Sequence, residues 1–233
     1  MNLGACIANQ GKKTLIVDID PQGNTTSGLG VNKADVDDCI YDVLINEHPV
    51  SDTIIPSGIH QLDLVPATIE LAGAEIELVQ TLSREHRLKR SLQKIRSQYD
   101  YILIDCPPSL GVLTINSLTA SDAVLIPIQC EFYALEGLGQ LLNTIRIVQK
   151  HLNKKLEIEG VLLTMFDGRT NLSVQVMDEV KKYFQQKVYN TVIPRNVRLS
   201  EAPSHGMPIL HYDARSRGAE CYNDLAKEVI RNG

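Results

Sequence analysis

Two stretches of this 233-residue chain close in the same way, on carboxylates followed by proline. They are Leu15-Ile16-Val17-Asp18-Ile19-Asp20-Pro21 and Tyr101-Ile102-Leu103-Ile104-Asp105-Cys106-Pro107-Pro108. Continuous aliphatic runs without polar alternation fit strands buried on both faces, as in a parallel sheet covered by helices. Proline then ends each ladder and turns the chain outward. In an open parallel sheet, ligands bind beyond the carboxyl ends of the strands, so both sets of carboxylates are expected on one crevice.

The composition agrees with that architecture. Hydrophobic residues make up 43%, aromatics only 5%, and Trp is absent, which suits an aliphatic sheet core better than a sandwich. Strands are predicted at Thr14–Asp18, Leu62–Val65, Tyr101–Asp105, Ala123–Ile128, Glu159–Met165 and Val188–Val192. Helices are predicted at Met1–Gln10, Ile69–Gln98 with one break, Leu113–Ala120, Leu135–Leu152, Leu172–Gln186 and Gly218–Ile230. No internal repeat, low-complexity tract or linker interrupts this alternation. Residues 1–233 therefore read as one α/β domain, doubly wound, with a mainly parallel sheet and helices on both faces.

Charge and cysteine usage narrow the function classes. A net charge of −5 and a pI near 5.7 argue against a protein that coats nucleic acid through bulk charge, so any DNA contact has to come from a local patch. The five cysteines are odd in number, scattered and free of C-x-x-C pairs, and the six histidines lack ligand spacing, which points away from disulfides and zinc. No apolar run reaches the roughly 18 residues of a membrane span, and no leader pattern opens the chain, so a cytoplasmic location is expected.

An aspartate after four apolar residues is the Walker B arrangement, in which the carboxylate holds Mg²⁺, usually through water, beside a nucleotide's phosphates. The competing reading for Asp18 or Asp105 is a polar strand end that caps the following helix. Four longer phrases decide between them: Val17-Asp18-Ile19-Asp20-Pro21-Gln22-Gly23-Asn24, Ile104-Asp105-Cys106-Pro107-Pro108-Ser109, Glu131-Phe132-Tyr133-Ala134-Leu135-Glu136-Gly137 and Pro194-Arg195-Asn196-Val197-Arg198-Leu199-Ser200-Glu201-Ala202-Pro203-Ser204-His205-Gly206. In wording, order and spacing the chain resembles the ParA/Soj family of chromosome- and plasmid-partitioning ATPases, deviant Walker P-loop proteins, from its first helix to its last.

That resemblance implies ATP and Mg²⁺ as cofactors. Asp20 matches the aspartate that positions or activates the attacking water, Asp18 the aspartate near the metal, and Asp105 the Walker B aspartate. Gly111 closes a segment resembling switch II, and Pro194 and Asn196 fall where the nucleotide is bound. Arg169 and Arg198 match arginines used for sequence-independent DNA binding, with Lys181, Lys182, Arg195, Arg215 and Arg217 able to widen the patch. The resemblance also implies an ATP-dependent homodimer, a ParB-type centromere-binding partner that stimulates hydrolysis, and association with the nucleoid.

One expected part is absent from the sequence. A Walker A loop needs G-x-x-x-x-G-K-[ST], whose backbone N–H groups face the phosphates while the Lys neutralises them. Gly11-Lys12 is followed by Lys13, and Cys6 stands where the first glycine belongs. The chain is thus expected to begin one helix late, lacking a strand and loop of roughly 20 residues, and as written neither to hydrolyse ATP well nor to fold robustly. Two alternatives follow: a P-loop-less regulatory or DNA-binding remnant, and a MinD-like membrane-cycling ATPase. The second normally ends in a basic amphipathic helix on lipid, whereas the stretch from Asp224 to Gly233 is short and mixed in charge, so no membrane contact is expected.

Overall fold

The computed structural model describes residues 1–131 and 136–232. Phe132, Tyr133, Ala134 and Leu135 of the third motif lie outside the described residues. Strands β1 (Thr14–Asp18), β3 (Leu62–Val65) and β4 (Tyr101–Asp105) run parallel with β1 between the other two. Strand β2 (Ile55–Ile59) adds an antiparallel edge, giving the order β2-β3-β1-β4. A second sheet pairs β5 (Ala123–Gln129) with β6 (Glu157–Thr164) in parallel.

Strand β1 shows why the aliphatic runs are unbroken. All five of its residues are buried. Leu15 and Val17 enter one core with α3 (Ile40–Ile45), α4 (Leu71–Glu77), α5 (Arg87–Gln93) and α6 (Val112–Ala120). Ile16 faces the other way, onto Ala5 and Ala8 of α1 (Asn2–Asn9). Helix α11 (Arg217–Asn232) covers α1, burying Leu225, Ala226 and Val229 with Cys6 and Ile7. Leu103 of β4, Leu125 of β5 and Leu162 of β6 join that same cluster, so the two sheets share one helical cover. Each such aliphatic side chain contributes about 1.5–3 kcal/mol relative to exposure. The second sheet has a further core with α7 (Glu136–His151) and α8 (Asn171–Phe184), built on Ile126, Ile128, Val161, Leu163, Val176 and Val180.

Helices on both faces of mainly parallel strands are the predicted architecture, but four details differ. The described strands make two sheets rather than one, β4 pairing with β1 and β5 with β6. Strand β2 falls where no strand is predicted; it carries Pro56 and Gly58, which an edge strand tolerates. The segment predicted as strand Val188–Val192 makes only single bridges, Val161 to Val188 and Phe166 to Pro194. Its N–H groups at Asn190 and Thr191 are taken instead by the Glu228 carboxylate, at 2.8 and 3.0 Å, which leaves no ladder to extend. Finally, Ile69–Gln98 is not one broken helix but α4, α5 and three 3-10 turns, interrupted where Ser83 takes a left-handed backbone at φ 53°.

Candidate functional site

Asp18 and Asp105 are register partners at the ends of β1 and β4. The ladder extends one step further, since the Ile19 N–H donates to the Asp105 carbonyl at 2.9 Å. Asp20 follows immediately, so all three predicted carboxylates stand at one end of one sheet, as expected of a crevice beyond the strand ends.

Their surroundings separate their roles. Asp18 is fully buried. Its Oδ1 accepts the Asp20 N–H at 3.2 Å, and its Oδ2 accepts the Thr26 N–H at 2.8 Å and the Thr26 hydroxyl at 2.7 Å. The Ala67 N–H donates in turn to Thr26 Oγ1 at 3.0 Å, tying the loop after β3 to α2 (Asn24–Gly28). Burial pushes the Asp18 carboxyl above its ordinary value against the pull of the Thr26 and Asp20 hydrogen bonds, and the Asp105 charge adds to the rise. With both oxygens engaged inside the protein, Asp18 meets the description of a strand-end residue that anchors the next helix.

Asp105 is exposed. One of its oxygens accepts the Thr25 hydroxyl, so α2 is fastened to both strand ends through two successive threonines. Asp20 is half-buried, and its Oδ1 accepts the Gln22 N–H at 2.9 Å, closing a tight turn. Lys33 reaches over this turn and donates to the Gln22 carbonyl at 2.7 Å. No group of three or more His, Cys, Asp or Glu side chains able to hold a metal occurs among the described residues. An all-oxygen set built on Asp105 fits Mg²⁺ nonetheless, since that ion keeps several waters and takes one or two carboxylates plus phosphate oxygens.

Gly111 ends the segment after Asp105 and precedes α6. A Cβ there would stand 2.2 Å from Glu75 Oε1, an oxygen that is buried without a hydrogen-bond partner. Helix α4 therefore packs directly on the Asp105–Gly111 segment, a contact the sequence gave no means of anticipating.

The loops that carry the predicted DNA-binding arginines are joined through their backbones. Arg195 N–H donates to the Phe166 carbonyl at 3.0 Å and Phe166 N–H to Ile193 at 3.1 Å, so the loops carrying Arg169 and Arg198 are neighbours. Each arginine already holds a carboxylate. Arg169 forks onto Asp167, with Nε at 2.9 Å and an amino nitrogen at 2.7 Å, and the Arg169 hydrogen bonds hold the Asp167 carboxyl down at about 2. Arg198 meets Glu201 at 3.0 Å and Asp213 at 3.5 Å. Arg195 pairs with Glu131, and Arg217 with Glu220. The segment beyond Arg198 also touches the chain just after α2: a Cβ on Gly206 (φ 64°) would lie 2.8 Å from the Gly30 Cα.

Pro194 forms the bridge to Phe166 and stands just before Arg195 and Asn196. Asn196 caps α9 (Val197–Glu201), its side-chain oxygen accepting the Leu199 N–H at 3.2 Å. The residue between them, Arg195, lines a cavity of about 700 Å³ at the carboxyl ends of β5 and β6, with Gln129, Glu131, Met165 and Asp167. Met165 sits there with a left-handed backbone at φ 53°, the sort of strain that gathers at functional sites.

Comparison with known proteins adds the following. Residues 1–158 match a family model described as an AAA domain. The sporulation initiation inhibitor protein Soj of Bacillus subtilis is 70% identical over 233 residues, covering 100% of this chain and 92% of that protein. The chromosome partitioning protein ParA of Myxococcus xanthus is 51% identical over 231 residues, covering 99% of this chain and 82% of its own length. A crystal structure described as cobyrinic acid a,c-diamide synthase from Mycobacterium smegmatis, with bound ATP analogue and magnesium, is 37% identical, with a TM-score of 0.85 over 99% of this chain and 86% of that one. The septum site-determining protein MinD from Pyrococcus horikoshii, in complex with Mg-ADP, shares the fold at a TM-score of 0.79 and 24% identity over 98% of this chain and 87% of that one.

Proposed function

Because the chain belongs to the ParA/Soj family of chromosome-partitioning ATPases, we propose that its β1/β4 strand ends serve ATP hydrolysis in company with a Walker A loop, which these 233 residues do not contain, and that the cycle is coupled to DNA held by Arg169 and Arg198. The observation that carries this reading is the convergence of Asp18, Asp20 and Asp105 on one sheet end, with α2 fastened to it through Thr25 and Thr26.

In this reading Asp105 holds Mg²⁺, through water, and Asp20 orients the attacking water. Bound Mg²⁺ supplies charge neutralisation at the phosphates, while the protein's task is positioning. Asp18 remains near the metal in sequence but serves by fixing Thr26 and, through it, the turn that carries Asp20. Pro194 and Asn196 belong to the nucleotide side. The Asn196 oxygen accepts the Leu199 N–H, which fixes the side-chain orientation and leaves its amide NH₂ free to donate to a base.

The partners follow from the same reading: an ATP-dependent homodimer that binds non-specific DNA at the nucleoid, in the cytoplasm, with hydrolysis stimulated by a ParB-type protein. Phosphate contacts by mobile cations suit this, since they carry no sequence information. A membrane-cycling role finds less support. No helix among the described residues is long and apolar enough to cross a membrane, and the apolar face of α11 packs on α1.

The test is retention of DNA on the protein with and without Mg-ATP, alongside phosphate release. Retention that requires Mg-ATP, is lost on charge reversal at Arg169 and Arg198, and is accompanied by turnover supports the proposal. Retention indifferent to nucleotide, together with absent turnover, leaves the regulatory-remnant reading in its place.

A further inference from the structure

Lys and Arg are outnumbered in this chain, 23 against 28 Asp and Glu, yet residues 84–96 hold six of them and a single acid, Glu85. Three of the six are committed to carboxylates: Arg84 to Glu85, Arg87 to Glu47 and Arg96 to Asp122. Lys89, Arg90 and Lys94 make no such pair among the described residues. A basic run of this kind is usually a solvated helix face, but the surroundings of Lys89 and Arg90 differ from that.

Those two residues line a hollow of about 340 Å³ together with Ser83, His86 and Gln93. Positions 86, 89, 90 and 93 stand at i, i+3, i+4 and i+7, one face of α5 and the turn before it. Ser83 joins that face from a left-handed backbone at φ 53°, a conformation uncommon outside glycine and one that gathers at binding sites. Arg90 is fixed in place, its Nε donating to the His86 carbonyl at 3.4 Å and an amino nitrogen to the Ser83 carbonyl at 3.2 Å. The rest of its N–H fork is unspent.

The lining chooses the ligand. All five side chains can donate a hydrogen bond, and none is a carboxylate. Donors alone, two of them cationic, suit an anion rich in acceptor oxygens, and a phosphoryl group matches the guanidinium fork. The DNA backbone offers the same chemistry. However, Leu88 and Leu92 seat α5 on the first sheet, against Leu15 and Val17, whereas the loops of Arg169 and Arg198 are joined beyond the second. A hollow at the small end of ligand-pocket volumes, roughly 300–1,000 Å³, encloses a compact ligand rather than a duplex.

We propose that this hollow on α5 binds a small phosphorylated anion at a site separate from the strand-end carboxylates. The inference goes beyond the nucleotide chemistry and stands without it.

Inorganic tripolyphosphate is the probe, titrated calorimetrically into the full chain in EDTA so that no Mg²⁺-dependent site contributes. Saturable binding is expected, weakened about tenfold or more by Lys89→Glu, as reversal of a charged hydrogen-bond partner implies, and abolished by Lys89→Ala/Arg90→Ala. Lys154→Ala/Lys155→Ala removes two exposed lysines elsewhere and should leave binding as it was. Arg90 also holds the Ser83 turn, so Lys89→Glu, which spares those contacts, decides the matter if the double variant fails to fold; an unchanged melting temperature confirms that the single variant does. Retention of duplex DNA should be the same for Lys89→Glu as for the parent. No saturable binding, unchanged binding by Lys89→Glu, or an equal loss in Lys154→Ala/Lys155→Ala overturns the proposal. So does DNA retention that falls with Lys89→Glu, which would give these cations to the DNA backbone.

Discussion

Asp20 begins its turn with one oxygen fixed by the Gln22 N–H, which orients the carboxylate before any nucleotide arrives. Asp20→Ala is expected to lower Mg-ATP turnover by about 10² or more, the usual cost of losing a positioned group, while nucleotide binding persists; equal phosphate release from the variant would remove Asp20 from the role. Asp167 supports a second prediction. If Arg169 takes DNA phosphate, Asp167 competes for it, so Asp167→Asn should raise DNA retention severalfold at most, since exposed ion pairs are weak, and a filter-binding titration reads the change. The Asp167 carboxyl lies well below its ordinary 3.8, at about 2, so the pair is complete above pH 3.8 and is lost only as the pH falls toward 2. The effect should therefore be flat through the neutral range. At this scale the carboxylates were legible because strand, carboxylate and proline stand next to one another in sequence. The partners of the arginines were not, since Arg198 meets Asp213 and Arg195 meets Glu131 only through the fold.

The elements whose limits the sequence marks best are the three parallel strands around β1, the one strand buried throughout. Strands β1, β3 and β4 fall at their predicted residues, because an aliphatic run ends where the polar turn begins. Elements held by side-chain ties escape such reading. The Val188–Val192 segment is sufficiently apolar for a strand, but Glu228 of α11, 38 residues from Asn190, caps its backbone. Burial raises the Glu228 pKa, and the Asn190 and Thr191 N–H groups outweigh it, leaving the carboxyl below its ordinary 4.5. A carboxyl depressed in the folded state adds stability above pH 4.5 that is lost as the pH falls through the lowered value. Glu228→Gln should cost about 1–3 kcal/mol at neutral pH, as for a charged hydrogen-bond partner, and the gap between variant and parent in urea melts should close in acid. Gly111 offers a second element-scale test. Gly111→Ala should force the Glu75 carboxyl out of its buried position, because Glu75 Oε1 stands 2.2 Å from the new Cβ. Pairing it with Glu75→Ala should recover most of the lost stability, a coupling that a thermal-melt double-mutant cycle measures directly.

For the whole molecule the proposed function raises the question of how a chain of net charge −5 would hold DNA at all. Bulk attraction is excluded by sign, so binding depends on where the few exposed arginines are gathered. Their loops are joined at Phe166–Pro194, and the Gly206 end of the same motif presses on Gly30 after α2, the helix that Thr25 and Thr26 fasten to Asp105 and Asp18. The sheet end that carries Asp18, Asp20 and Asp105 and the loops that carry Arg169 and Arg198 are thus linked by successive contacts, which the order of motifs in the sequence does not reveal. If two subunits each present Arg169 and Arg198, roughly four phosphates are neutralised. The slope of log affinity against log salt should then be about −3.6, at about −0.9 per phosphate on duplex DNA. Removing Arg198 alone should halve that slope in the dimer, whereas Lys181→Ala and Lys182→Ala on α8 should leave it near its starting value if those lysines are only a solvated helix face. A slope near −2 for the unaltered protein would mean that one subunit, not two, carries the DNA, and the link from nucleotide to DNA would have to run within a single chain along the Gly206–Gly30 contact.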